Sequence, residues 1–293
     1  MLRHRAVGAS AVLNFDLHCH STISDGLLSP SQVAARAKAN GVDVWALTDH
    51  DEIDGIAEAR AAAAALQLQY VAGVEISITW SGETVHIVGL RIDERCDELV
   101  QGLRATRQGR EQRGREMAAQ LAAVGIPDAF EGALKFVGNP DLISRTHFAR
   151  YIIELGVCAD IQGVFSKYLI EGKPGFVPHR WATLAEAVGW IRAAGGDAVI
   201  AHPGRYRFSD LQRDALLEEF IGLGGAAIEV VTGSHTVAQY EIWAKVARRY
   251  GLRASRGSDF HGPGESRVDI GALPALPAGL VPVWADWELS SSV

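Results

Sequence analysis

The sequence predicts an α/β protein, built on a parallel sheet or barrel and interrupted by a helical insertion. Two observations support this fold class. Apolar runs of strand length alternate with helical patterns near both ends of the chain, and a long central stretch has helical patterns without a convincing strand. Because β–α–β crossovers join parallel strands, the alternation predicts parallel neighbours.

The first strand and helix units have clear limits. Strands are predicted in "VLNFDLHC", "VDVWALTD", "LQYVAGVEISITW" and "TVHIVGLRI", and helices in "SPSQVAARAKANG" and "DGIAEARAAAAALQ". Ser29 followed by Pro30 is typical of an N-cap and first helical residue, and Gly41 marks the expected end of that helix. Residues 1–13 are interpreted as an N-terminal extension.

The middle of the chain has a different pattern. Between residues 94 and 175, "ELVQGLRATRQGREQRGREMAAQLAAVG" and "SRTHFARYIIELG" have helical periodicity. The alternation resumes with "TLAEAVGWIRAAGG", "DAVIAHP", "DLQRDALLEEFIGLGG", "AAIEVVT", "TVAQYEIWAKVARRYG" and "LRASRGSDFHG". We therefore expect a discontinuous barrel of residues 14–93 and 176–293, with residues 94–175 forming a helical cap over the substrate.

Composition narrows the classes of partner. The net charge of −7 disfavours a broad basic surface for duplex DNA, and favours small anionic substrates bound in a local cationic pocket. The three cysteines form no CxxC pair, which favours a reducing cytoplasm over a disulfide framework. The sequence has no uninterrupted run of about 18 apolar residues, so we expect no membrane span. No obligate protein partner is inferred.

Side chains that bind metals follow several predicted strands. Residues two apart in an extended strand point the same way, so His18 and His20 could hold one ion together, as could Asp259 and His261. Because the carboxyl ends of parallel strands share one face, separate segments can converge there. The further candidates at these strand ends are Asp25, Asp49, His50, Asp51, Glu75 and His202, and His86 lies within a strand.

This combination of residue types favours a shared metal site. Imidazole and carboxylate ligands together suit Zn²⁺, Mn²⁺ or Fe²⁺, and a carboxylate such as that of Glu75 can bridge two ions. A single strand histidine such as His86 is more often a hydrogen-bonded core residue. Cys19, between His18 and His20, should point to the opposite face and pack in the core.

The same segments resemble a known family. "FDLHCHSTISDG", "ALTDHDEIDG", "GVEIS", "VHIVG", "AHPGR" and "SDFHG" resemble, in order and spacing, the motifs of the PHP (polymerase and histidinol phosphatase) superfamily. The chain is most similar to the branch that includes nucleoside 3',5'-bisphosphate phosphatases and oligoribonucleotide 5'-to-3' exonucleases, and "SRTHFARYIIELG" and "YLIEGKPGFVP" carry this likeness into the insertion. The resemblance implies a distorted (β/α)7 barrel with two to three divalent ions.

The resemblance also implies three groups of ligands. They are His18, His20, Glu75 and Asp259 for a first ion, Glu75, His86 and His202 for a second, and Asp25, His50 and His261 for a third. Other family members use histidine at the position of Asp25, and this departure favours a harder ion. Mn²⁺ is therefore expected before Zn²⁺, Fe²⁺ or Mg²⁺.

The expected activity is metal-dependent hydrolysis of the 3'-phosphate of nucleoside 3',5'-bisphosphates, giving AMP and phosphate from adenosine 3',5'-bisphosphate. Short single-stranded oligoribonucleotides, degraded 5'-to-3', are a further expected substrate. A metal-bridging hydroxide should attack phosphorus in line. The residues expected to carry this chemistry are His18, His20, Glu75, His202 and Asp259.

Two alternatives remain open at the level of sequence. The first is a histidinol-phosphate phosphatase or another small phosphomonoesterase, which for histidinol phosphate would need an extra carboxylate for the substrate amine. The second is a catalytically silent metal-binding module of the kind attached to some polymerases, which is disfavoured because the ligand set is complete.

Substrate contacts are expected from the insertion and the loops beside it. Arginine forks suit phosphate, and the candidates are Arg145, Lys173, His147, Arg205 and His235. A nucleotide base could stack on one of Phe148, Tyr151, Phe176, Trp181, Tyr206 and Phe208. Arg104, Arg107, Arg110 and Arg113 recur every three residues, and a solvated helix face is favoured over an entry path. For Asp51, capping the next helix is favoured over a general-acid role.

Overall fold

The computed structural model describes residues 13–288, and its seven strands form one nearly closed barrel in sequence order. The strands are β1 (Phe15–Asp16), β2 (Val44–Leu47), β3 (Gln69–Trp80), β4 (Glu83–Leu90), β5 (Asp197–Ile200), β6 (Ala227–Thr232) and β7 (Arg253–Gly257). Backbone hydrogen bonds from Leu17 N–H to Arg256 C=O (3.0 Å) and from Asp259 N–H to His18 C=O (2.8 Å) join the first and last strand regions. The predicted extension, Leu13 excepted, lies outside the described residues.

One strand runs against the others. β4 is antiparallel to both β3 and β5, whereas the remaining neighbours are parallel. Ser81 and Gly82 connect β3 to β4 with φ values of 49° and 85°, which are typical of the two-residue turn of a β-hairpin. The expectation of a wholly parallel sheet is therefore wrong at β4, because two residues cannot form a β–α–β crossover.

Helices surround the barrel and form the insertion. They are α1 (Pro30–Ala39), α2 (Ile56–Ala65), α3 (Asp97–Arg107), α4 (Arg110–Ala122), α5 (Ala129–Leu134), α6 (Arg145–Glu154), α7 (Ile161–Val164), α8 (Leu184–Ala193), α9 (Asp210–Gly222) and α10 (Val237–Tyr250). The predicted N-cap is confirmed, since Ser29 Oγ accepts the N–H of Gln32 at the start of α1. No helix between residues 13 and 288 is long and apolar enough to cross a membrane.

The insertion has a hydrophobic core of its own. This core gathers buried residues between Met117 and Val177, from α4 onward. Leu99 and Leu103 of α3 instead join the largest barrel cluster. The long predicted helical pattern is divided at Gly109, whose φ of 87° lies in the left-handed region and ends the run before α4.

A glycine in β7 allows the barrel to close against the first strand region. A Cβ added to Gly257 would lie 2.3 Å from Cβ of His18 and 2.7 Å from its backbone N, so the backbone would have to shift. We expect Gly257→Ala to lower the free energy of unfolding by about 1–3 kcal/mol through overpacking. Chemical denaturation measures this change.

The matched control is Gly189→Ala in α8, where a Cβ meets nothing within 4 Å. Because alanine favours helix, this variant should be equally or more stable than the parent, by up to about 1 kcal/mol. Equal stability of the two variants would contradict the close packing of Gly257 on His18.

Candidate metal centre and cleft

A buried carboxylate lies at the centre of a ring of imidazoles at one end of the barrel. Glu75 extends from β3 and is fully buried. Its two oxygens are 2.9 to 3.3 Å from ring nitrogens of His18, His20, His50, His86 and His202. Histidines from four separate chain segments therefore converge on one carboxylate.

Two aspartates and a further histidine extend this centre. Oδ1 of Asp259 is 3.6 Å from His18 Nε2 and 3.4 Å from His20 Nε2. On the other side, Oδ1 of Asp25 is 3.4 Å from His261 Nε2 and 3.9 Å from His50 Nε2. All nine side chains predicted as metal ligands thus lie together in the folded chain.

The donor atoms form four overlapping groups, and within each group they all lie within 4.8 Å of one another. The groups are His20, Asp25, His50 and His261; His18, Glu75 and His202; His18, His20 and Asp259; and His50, Glu75 and His86. This grouping agrees with the resemblance in placing Asp25 with His50 and His261. The resemblance places His86 and His202 together with Glu75. In the structure these two histidines belong to different groups, His86 with Glu75 and His50, and His202 with Glu75 and His18.

The polar atoms of this centre fit divalent cations. Among the described residues, four buried atoms here form no hydrogen bond: His20 Nδ1, Asp25 Oδ1, His50 Nδ1 and Glu75 Oε2. Buried polar atoms in proteins are normally satisfied, so unsatisfied imidazole and carboxylate atoms facing one another are suited to ions. The mixed nitrogen and oxygen donor set is one used by Zn²⁺, Mn²⁺ and Fe²⁺.

The carboxylates and imidazoles of this centre shift one another's pKa values strongly. Burial by itself would raise the pKa of the Glu75 carboxyl, but His18, His50 and His86 outweigh burial and hold this pKa well below its usual range. Burial lowers the pKa of His202 to about 3. Burial opposes the charged form of His18 and His20 as well, but the carboxylates around them raise the pKa of His18 well above its usual range and that of His20 to about 10. Metal ions bind the neutral imidazole, so metal binding would displace protons from these two rings.

Glu229 supports the centre from behind, and its role was missed from the sequence. Glu229 Oε1 is 2.8 Å from His18 Nδ1, and its Oε2 accepts the backbone N–H of His202 at 2.6 Å. Such partners fix the orientation of metal-binding imidazoles. A single carboxylate in the otherwise apolar "AAIEVV" strand was the signal that could have identified it.

Buried aspartates fix the loops that carry the candidate ligands. Asp49 accepts hydrogen bonds from the N–H and hydroxyl groups of Ser21 and Ser24, and so shapes the loop before Asp25. Asp16 accepts the N–H and hydroxyl of Ser258. These bonds hold the loops before Asp25 and Asp259.

Asp51 does not cap α2, so that prediction is wrong. The helix follows Gly55 and has no side-chain cap. The Asp51 carboxylate accepts the N–H and hydroxyl of Ser77 at 2.7 and 2.9 Å, and forms an ion pair with Arg110 of α4. These contacts commit both oxygens of the carboxylate to β3 and α4.

A cleft of about 520 Å³ opens between the insertion and the candidate metal centre. Arg110 and Arg113 line it and are only 5% and 8% exposed, while Arg104 is exposed. The expected solvated face is therefore wrong for the first two, because α4 turns that side of the helix into the cleft. Their guanidinium carbons lie 4.5 and 5.5 Å from the ring centre of Trp181.

Two of the five predicted substrate contacts line the cleft, namely Arg145 and Arg205. Burial and the charges of Arg205 and Arg110 lower the pKa of Arg145 to about 10, which reflects crowded cations that favour an anion. Lys173 is exposed and does not line the cleft.

The two histidines predicted to contact the substrate, His147 and His235, are buried and do not line the cleft. His147 Nδ1 accepts the N–H of Ser144, and His235 Nε2 accepts the N–H of Gly204. Burial lowers the pKa of each imidazole to about 4. Both therefore act as neutral supports of loops, and a direct substrate contact is not supported.

Six aromatic side chains were predicted to stack on a base. Among the described residues that line this cleft, Trp181 is the one that belongs to that set. Phe148 and Tyr151 pack in the insertion core instead. Phe165 of the π-helical turn Phe165–Leu169 also lines the cleft and was missed. It has no strong signal in the sequence, because its exposure depends on how the insertion packs.

A mixed barrel that gathers histidines and carboxylates under an arginine-rich cleft is the construction of a phosphoesterase. The PHP domain family model matches residues 16–200, and the chain belongs to this family, as the motifs indicated. It is 49% identical over 275 residues to the 3',5'-nucleoside bisphosphate phosphatase of Chromobacterium violaceum, covering 94% of this chain and 96% of that protein.

Two further comparisons agree with this membership. The 5'-3' exoribonuclease of Haemophilus influenzae is 39% identical over 270 residues, which cover 92% of this chain and 97% of that protein. An amidohydrolase structure from Chromobacterium violaceum, determined with bound sulfate and no metal, has a TM-score of 0.90 at 49% identity. That match covers 92% of this chain and 94% of the other.

The central position of Glu75 generates a test of metal binding. After removal of metals and dialysis against Mn²⁺, the wild-type chain should retain two to three ions, and Glu75→Gln should lose at least one of them. Loss is expected because this carboxylate contributes to two of the four donor groups. Inductively coupled plasma mass spectrometry measures the ions per chain.

Glu83→Gln, at the exposed start of β4, is the matched control and should bind as many ions as the wild type. Unchanged metal content in Glu75→Gln would argue against a bridging role for Glu75.

Proposed function

We propose that this PHP-domain phosphoesterase removes the 3'-phosphate of nucleoside 3',5'-bisphosphates, giving AMP and phosphate from adenosine 3',5'-bisphosphate. The main supporting observation is a single cleft lined both by candidate metal ligands, among them His50 and Asp259, and by Arg113 and Arg145. A substrate with two phosphates can use both parts of such a cleft. The bisphosphate phosphatase at 49% identity supports the same substrate.

The proposed ligands are the nine side chains named above, which would hold two to three divalent ions, with Mn²⁺ favoured. Ions at these positions lower the pKa of a water molecule toward neutrality and withdraw charge from phosphoryl oxygens. Glu229 keeps His18 and His202 oriented toward Glu75.

The cationic side chains would bind the second phosphate. Guanidinium groups match phosphate geometry with paired hydrogen bonds, and Arg113 and Arg145 both approach the cleft from the insertion. Trp181 and Phe165 offer aromatic surfaces for the base. Arg205, 3.3 Å from Asp259, would neutralise charge near the reacting phosphate.

In this proposal the insertion, residues 94–175, caps the substrate, and the barrel, residues 14–93 and 176–293, carries the candidate metal ligands together with Trp181 and Arg205. Trimming of short oligoribonucleotides is a second candidate, supported by the exoribonuclease relative at 39% identity. The free cysteines of the described residues support action in a reducing cytoplasm.

Histidinol phosphate fits the cleft less well. Its amine would need a carboxylate that the metals do not use, and among the described lining residues Glu265 is the carboxylate outside the candidate ligand set. Arg150 already binds both oxygens of Glu265 at 2.9 and 2.8 Å. The remaining cleft charge is dominated by arginines.

A substrate screen tests the assignment. With Mn²⁺ supplied, adenosine 3',5'-bisphosphate should release phosphate with a higher kcat/KM than AMP or histidinol phosphate, and short oligoribonucleotides should yield mononucleotides. Preference for histidinol phosphate would contradict the proposal.

His20→Ala should lose most turnover yet fold normally by circular dichroism, since it removes one donor from a centre rich in donors; near-normal turnover would refute its ligand role.

The arginine cluster should affect binding of the second phosphate in particular. Arg145→Ala should lower kcat/KM for adenosine 3',5'-bisphosphate by about tenfold or more, because a charge-assisted hydrogen bond contributes roughly 1.5–3 kcal/mol. Hydrolysis of a substrate with one phosphate should change far less. The exposed Arg104→Ala on α3 is the control, and equal losses on both substrates would contradict a second-phosphate site.

A further inference from the structure

We propose that the helical insertion positions the ligands of one candidate metal site. This site, called the outer group, consists of His20, Asp25, His50 and His261. Two of its members lie at the open side of the centre: the His50 and His261 side chains are 16% and 21% accessible, whereas those of His18 and Glu75 are 0% accessible. The inference rests on the proposed metal ligands, and it does not depend on which phosphate ester is the substrate.

Arg150 of α6 joins two loops of the outer group. Its side chain is 6% exposed, and one terminal nitrogen donates to the backbone C=O of Asp25 at 2.6 Å. The same guanidinium binds Glu265 through two hydrogen bonds of 2.9 and 2.8 Å. Glu265 follows His261 by four residues, in a loop where Ser266 Oγ accepts the His261 N–H at 2.7 Å. One buried side chain therefore sets the spacing between the loops of Asp25 and His261.

The start of α6 contacts Asp25 directly. Ser144 Oγ lies 3.4 Å from Asp25 Oδ2. Ser144 is itself held by His147, whose Nδ1 accepts its backbone N–H at 3.0 Å. This gives the buried His147 a role: it fixes the residue through which the insertion reaches the Asp25 carboxylate.

The insertion also holds the backbone next to His50. Arg107 at the end of α3 donates to the C=O of Asp51 at 2.6 Å, and Arg110 of α4 pairs with the Asp51 carboxylate. Asp51 has a φ of 50°, an unfavourable value for a residue with a Cβ, so external bonds are needed to keep it there. His50, immediately before it, is positioned by the same contacts.

The candidate ligands outside the outer group are supported by the barrel. Glu229 in β6 bonds to His18 and to the backbone of His202. Tyr206 bonds to the N–H of His86, and Ser234 to Asp259. Weaker docking of the insertion should therefore release the ion of the outer group and leave the remaining ions bound. Loss of such supporting contacts typically costs about 10- to 100-fold in metal affinity.

Arg150→Met tests this inference with Mn²⁺ as the probe. It removes three hydrogen bonds and keeps most of the apolar side-chain volume. Equilibrium dialysis across a range of free Mn²⁺ should give one fewer tightly bound ion than in the wild type. That last ion should bind only at about tenfold higher Mn²⁺ or more. The matched control, Arg115→Met, removes an exposed arginine of α4 and should bind like the wild type.

A second variant keeps the test decisive if Arg150→Met fails to fold. Glu265→Gln weakens the same link from the barrel side and leaves the insertion core intact, so it should lose the same single ion. Its kcat should recover at high Mn²⁺ with little change in KM, which a general loss of structure would not produce.

Two results would overturn the inference: Mn²⁺ binding like that of the wild type in the folded variants, or equal weakening of every ion. A wild-type chain that binds no more than one ion would instead refute the proposed ligand set, and this inference with it.

Discussion

The carboxylate of Glu75 is the group on which the rest of this structure depends. It is fully buried and faces five imidazoles at hydrogen-bonding or ion-pair distance. Burying a charge is costly unless it is paired, and imidazoles so close together do not all gain by becoming cations. Divalent ions bound here would resolve this conflict, because they need an ionised carboxylate and neutral imidazoles in the same small volume. The barrel supplies that volume by bringing the ends of separate strands together.

Holding so many polar groups in place requires a second layer of buried charge. Asp16, Asp49, Asp51 and Glu229 each accept hydrogen bonds from backbone N–H groups near candidate ligands. A carboxylate that accepts several such bonds holds a loop more firmly than a neutral acceptor would, because charge-assisted hydrogen bonds are stronger. The loops therefore behave as extensions of the strands, although few of their residues have regular secondary structure. The protein's own hydrogen bonds thereby hold the candidate ligands close to one another.

The insertion connects substrate recognition to this centre. Arg110, Arg113 and Arg145 line the cleft, while Arg110 and Arg150 form buried ion pairs with Asp51 and Glu265. Cations of the same segment thus serve two purposes, which their spacing along α4 and α6 does not distinguish. Arg110 and Arg150 are bound to carboxylates that fix loops of the barrel, whereas Arg113 and Arg145 would offer their charge to an anion.

The sequence by itself determined the strands, most helices and all nine candidate ligands. Each of these is a local property: an apolar period, a capping residue such as Ser29, or a histidine placed just after a strand. The burial of Arg110 and Arg113, and the contacts made by Glu229 and Arg150, were decided by the tertiary structure alone. Each of these depends on which distant segment packs opposite, as when Asp51 meets α4 instead of capping α2. Sequence spacing states which side chains share a face, and packing decides what that face contacts.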